Sequence, residues 1–201
     1  MIVDDILFIE KEAMPDAAKA LTADDIRQLV TLLNEKDDKL RYQALLLLQS
    51  RSQSFDDVYP YFNTFAEKLK SDNSYQRSIG MMLMAQNAQW DVDNKFDAVL
   101  DDYLSGAEDE KPITARQCIQ ALEHVIPYKA NLLGRIADRL MRVDIGAIKP
   151  SMKKLILLDI LHALLQIRNL QPSGDIDAYI FDALSGGILD DKSKKQLEKM
   201  L

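Results

Sequence analysis

"DDKLRYQALLLLQS", residues 37–50, sets two carboxylates just ahead of Arg41 and then runs into nearly unbroken aliphatics. A helix that is apolar around most of its circumference has to be covered on several sides. The stretch therefore belongs inside a stack of helices, and Arg41 stands near the point where the chain enters it.

Working outward, a more amphipathic segment precedes each such helix. Ile26, Leu29, Val30 and Leu33 form one stripe at helical spacing, with Thr22 and Asp25 placed as a capping pair. Phe55, Val58, Phe62, Phe65 and Leu69 form the next at spacings of 3, 4, 3 and 4, which puts Pro60 in about the first turn. Phe96 to Leu104, Leu133 to Leu140 and Ile176 to Leu184 repeat the pattern. After each comes a polar turn and a second, more apolar segment: "LRYQALLLLQ", "QRSIGMMLMAQ", "TARQCIQALEHVI", "KKLILLDILHALLQI" and "KKQLEKML". Composition agrees with an all-α chain. Of 201 residues, 47% are hydrophobic and 28% charged, and 7 Gly with 6 Pro are few for the turns of a sheet protein.

The second segments carry a basic residue early, at Arg41, Arg77, Arg116, Lys154 and Lys195, with intervals of 36, 39, 38 and 41 residues. A period of this length marks a helical solenoid. Asp37, Asn73 and Asp191 each lie four residues ahead of their basic residue, and Ala44 and Gly80 place a small residue three after it. This pattern, from about Thr22 to Leu201, resembles the HEAT-like, armadillo-type repeats. The resemblance implies a right-handed α-α superhelix of about five helix pairs, with Asp37, Arg41, Asn73, Arg77, Arg116, Lys154, Asp191 and Lys195 as its structural ladder. The third and fourth repeats depart from it: the turn from Leu104 to Arg116 is longer, and Ile119 and Leu157 replace the small residue. The chain reads as a single domain over 1–201, with 1–21 as an N-terminal capping segment and 22–201 as repeats. "IVDDILFIE" is expected to cover one end of the array, and the charged "LDDKSKKQLEKML" to close the other.

Eight residues beyond the first four basic positions stand Gln49, Ala85, His124 and His162. Packed helices lie ~8 to 10 Å apart, so the imidazoles of adjacent repeats can share a surface with Asp159. Such a set can bind a divalent metal or a small ligand, or exchange protons. The bland reading is a surface stripe, and no cofactor or metal is expected. Cys118 is the one cysteine, which excludes an intrachain disulfide and a cysteine-based zinc cage. "LSGGILDD", residues 184–191, lacks the Lys-Ser/Thr of a phosphate loop and reads as a helix stop followed by a cap from Asp190 or Asp191. The acidic loop "SGAEDEKP", residues 105–112, reads as solvated, and "GMMLMAQNAQW", residues 80–90, as core that ends on Trp90, a candidate interface anchor.

A net charge of −7 opposes a phosphate backbone, which is bound by clustered Lys and Arg. No stretch approaches the ~20 apolar residues that span a bilayer, and the N-terminus lacks a signal peptide's basic start. The expectation is a cytoplasmic, non-catalytic interaction module for a protein or peptide, without membrane contact. The resemblance admits an alternative, a HEAT-like DNA alkylation repair-type enzyme, in which Trp90 and an Asp would contact the base. That mode needs a basic concave face, and Lys153, Lys154 and Arg168 are the nearest approach to one.

Overall fold

The computed structural model describes residues 3–201. Met1 and Ile2, part of the expected 1–21 capping segment, lie outside the described residues. The fold is all-α, and no strand occurs among the described residues. The chain divides into two compact units, Met1–Val99 and Leu100–Leu201.

The first unit opens with α1 (Val3–Ile6), a single turn, and α2 (Met14–Lys19). α2 rather than the 2–10 segment supplies the longer helix here: Met14 and Ala18 are buried, and α2 packs on α4 (Asp38–Ser52). α3 (Ala23–Leu32) starts at the expected capping box. Thr22 Oγ1 accepts from the Asp25 N–H at 3.3 Å, and Asp25 Oδ2 accepts from the Thr22 N–H at 2.9 Å. Asp37 begins α4 by accepting from the N–H groups of Lys39 and Leu40. Ala44, Leu45, Leu47 and Leu48 are all buried, and α4 is covered by α2, α3 and α6 (Ser74–Gln86) together.

The Phe55 to Leu69 stripe does not form one continuous helix. Its α-helical part is α5 (Phe62–Glu67), flanked by 3-10 turns at Tyr59–Tyr61 and Lys68–Lys70. Pro60 sits in the first of these turns, and its ring forbids a helix running on from upstream. Val58 is nonetheless fully buried, so it reaches the core from a turn. α5 and α6 meet at Gly80, where a Cβ would come within 2.6 Å of the Phe65 carbonyl oxygen. The expected Met-rich core is there in Met81 and Met84, both buried.

α7 (Lys95–Ser105) contains the division between the units. In the second unit its end is joined to α8 (Pro112–Ala121): the Tyr103 hydroxyl donates to the Cys118 carbonyl at 3.1 Å, and the Cys118 thiol donates to the Tyr103 carbonyl at 3.3 Å. The longer turn between them is filled by a 3-10 turn at Gly106–Glu108, which packs on α8 through buried Ala107. α9 (Leu133–Met141) and α10 (Pro150–Leu170) follow, and α10 packs on α8, α9 and α11 (Gly174–Ser185). α12 (Asp191–Glu198) is capped by Asp190, which accepts from the Ser193 N–H at 2.9 Å. The first and second segments of the sequence thus correspond to α3 and α4, α5 and α6, α7 and α8, α9 and α10, α11 and α12. Among the described residues no helix is long and apolar enough to cross a membrane.

Candidate functional site

The recurrent basic residues take two kinds of partner. Arg41 donates through Nη2 to Asp38 at 2.5 Å and through Nη1 to the Glu35 carbonyl at 2.8 Å. Asp37, with its oxygen turned to the α4 backbone, is a cap and not the Arg41 partner. Arg77 donates to the carbonyls of Ser71 and Asp72, while Asn73 caps α6 by accepting from the Tyr75 N–H. The same clamp on the preceding turn recurs in the second unit, from Lys153 to the Gly146 carbonyl and from Lys194 to the Gly186 carbonyl. Lys195 and Asp191 are exposed, and Asp190 rather than Asp191 meets Lys154, at 2.5 Å.

Arg116 reaches instead from one second helix to the next. Its Nε and Nη2 donate to Asp159 Oδ2 and Oδ1 at 2.6 and 3.1 Å, and Gln120 Nε2 donates to Oδ1 at 2.9 Å. The carboxylate raises the Arg116 pKa above its ordinary value, outweighing the opposite effect of burial. One turn after Asp159, His162 borders a recess of about 140 Å³ that is also lined by Gln120, Glu123 and Gln166. His124, at the end of the 3-10 turn Leu122–His124, faces Glu123 at 3.4 Å and does not line this recess.

The expected histidine set is therefore brought together only in part. Asp159 borders the same recess as His162, but both of its oxygens are filled by Arg116 and Gln120. Among the described residues no group of three or more His, Cys, Asp or Glu is placed to hold a metal ion. What the recess offers is hydrogen bonding from an imidazole, amides and the Glu123 carboxylate, which suits a small polar group. Burial raises the Cys118 thiol well above its ordinary value, which keeps it a poor nucleophile.

In the first unit Gln49 is half-buried on α4. Trp90 is also half-buried, and its indole N–H donates to the Ser52 carbonyl at 2.7 Å, beside a second bond to that oxygen from Gln89. A ring held in this way is an anchor within the unit. The acidic 105–112 loop is partly neutralised, since Glu108 pairs with Arg139.

Three polar groupings escaped sequence reasoning. Buried Arg51 pairs with Asp57, donates to the carbonyls of Ala18 and Lys19, and lies 3.6 Å from the Phe55 ring centroid. The Tyr59 hydroxyl donates to Asp91 at 2.7 Å, and Asp91 also accepts from the N–H groups of Lys95 and Phe96. Buried Lys68 donates to Asn34 and Gln76. The Arg51–Asp57 spacing of six residues was an available signal; the Tyr59–Asp91 and Lys68–Asn34 bonds join residues more than 30 apart, where a single sequence carries none.

No family model matches the chain, and no curated protein matches it. Among solved structures it is similar to AlkD2 from Streptococcus mutans, with 14% identity and a TM-score of 0.49, over 98% of this chain and 92% of that one. Likeness of that degree says nothing of what this chain binds. The class defined by the helices themselves is an all-α chain of successive helix pairs.

Proposed function

We propose that the chain is a HEAT-like, non-catalytic protein-binding module of the cytoplasm, and that a protein or peptide docks on the second helices of the first unit. The observation that carries this reading is a pair of exposed aromatics near the starts of neighbouring α4 and α6. Tyr42 is 59% and Tyr75 65% exposed, and the Arg41 guanidinium lies 5.5 Å from the Tyr75 ring centroid. Tyr is a side chain that anchors interfaces, because it buries large area at low entropic cost while keeping a polar tip. Arg41 is itself buried and fixed by Asp38 and the Glu35 carbonyl, so it gives Tyr75 a rigid neighbour.

The electrostatics favour a protein over a phosphate backbone. Arg27, Arg135, Arg139, Lys154 and Arg168 are each paired with a carboxylate and so have less charge to offer phosphates. The test is affinity capture with the tagged chain from a lysate of its own source, nuclease-treated and untreated, beside a Tyr42→Ser/Tyr75→Ser variant. A stoichiometric protein that survives nuclease and is lost with the double substitution is the expected result. Capture that vanishes with nuclease, together with DNA binding at low salt, would replace this reading with the alkylation-repair-type alternative.

A further inference from the structure

Lys68 is only 8% exposed, yet among the described residues no carboxylate pairs with it. Its ammonium donates to two neutral amide oxygens, Asn34 Oδ1 at 2.7 Å and Gln76 Oε1 at 2.5 Å. The other two buried cations of the first unit are treated differently: Arg41 closes on Asp38, and Arg51 on Asp57. Two amide oxygens account for two of the three ammonium protons and for the link between the end of α3 and α6. They do not account for the charge, because a desolvated cation without a counter-ion is unfavourable. Burial, with the nearby Arg41 guanidinium behind it, holds the Lys68 pKa below its ordinary value.

Lys68 and its two amide partners, Asn34 and Gln76, line an open recess of about 460 Å³ in the first unit. Thr64, Ser71 and Asn73 line the same recess and bring hydroxyl and amide donors. Asn73 spends its oxygen on the Tyr75 N–H, which leaves its amide hydrogens as the group it can offer. The one carboxylate of the lining, Glu67, is turned to Lys70 at 3.0 Å. The recess thus joins an unbalanced positive charge to several neutral donors.

We propose that this recess binds a single oxyanion, a carboxylate or a phosphate group, through the Lys68 ammonium and the donors of Thr64, Ser71 and Asn73. The anion supplies the charge that Asn34 and Gln76 lack, and the third ammonium proton gains a partner. The site holds whether or not Tyr42 and Tyr75 dock a protein.

The test is NMR of the full chain with 13C-labelled lysine, titrated separately with inorganic phosphate and with acetate at ionic strength matched by chloride. The Lys68 side-chain signal is assigned by its loss in both Lys68→Arg and Lys68→Met. It is expected to shift with saturation while the exposed lysines do not. Saturation with phosphate alone assigns a phosphate group, and saturation with acetate assigns a carboxylate. Glu67→Gln removes a negative charge from the rim and should tighten binding about two- to five-fold. No shift, or an unsaturated drift shared with exposed Lys36 and Lys39, overturns the proposal, as does an affinity indifferent to Glu67→Gln.

Discussion

The guanidinium of Arg116 on α8 grips both oxygens of the Asp159 carboxylate on α10 with two nitrogens, at 2.6 and 3.1 Å, and Gln120 shares Oδ1 with it. Asp159 is 7% exposed and 43 residues away in the chain. With the Gln120 bond this grip makes a polar tie between the two helices.

Arg116→Ala leaves the Asp159 carboxylate buried with Gln120 as its one remaining donor. Removing one partner of a buried pair costs about 3 to 5 kcal/mol. Because the Arg116 side chain keeps 28% of its exposure, we expect about 2 to 3 kcal/mol in urea unfolding. Replacing both residues with Met and Leu should recover much of the loss. A double variant no more stable than the sum of the single effects would show that the pair is uncoupled.

Arg41→Ala should lower stability by about 1 to 3 kcal/mol, through the lost clamp on the Glu35 carbonyl and the lost packing of a buried side chain. Asp38, whose side chain is 81% exposed, should be worth under about 1 kcal/mol when changed to Ala. Equal thermal shifts for the two variants would mean that the ion pair, rather than the carbonyl clamp, holds the turn.

Gly80→Ala puts a methyl group where the Phe65 carbonyl oxygen already stands, at 2.6 Å. A helix interior ordinarily gains from Gly to Ala, by about 1 kcal/mol. Here backbone must separate from backbone, and the expected outcome is a net loss of about 1 to 3 kcal/mol. A raised melting temperature would show that α5 and α6 can part without cost.

Burial, and after it the bond to Asp91, pushes the Tyr59 hydroxyl above its ordinary value of 10.0. The folded chain keeps this proton where the unfolded chain has lost it. Its contribution is therefore complete below pH 10.0 and falls away as pH rises toward the folded-state value. Tyr59→Phe should lower stability near neutrality and flatten the alkaline decline. Tyr103 and Tyr179, also raised by burial, keep part of that decline in place. An alkaline limb of unchanged slope in the variant would contradict the assignment.

The helix pairs were legible because their signal is local: stripes three and four residues apart, the Thr22–Asp25 box, and a basic residue returning at near-constant intervals. The interruption at Pro60 was legible as a position but not as a break, since the length of helix on either side depends on what packs there. The site was harder to read. Counting in register set His124 and His162 at matching positions, but α8 ends at Ala121 and the 3-10 turn that follows carries His124 off the line of the recess. Asp159 looked available as a ligand because its partner lies a repeat away, and no spacing within one helix announces Arg116.

Arg51 gives the first unit an order of assembly. The carbonyls of Ala18 and Lys19 at the end of α2 find their donor 33 and 32 residues further along. On the ribosome α2 emerges while Arg51 is still within the exit tunnel, and this bond cannot form until α4 has left it. Loop closure over such a separation is slow compared with local helix formation. The nascent segment must therefore wait, and in that interval the apolar face of Met14 and Ala18 is open to chaperones.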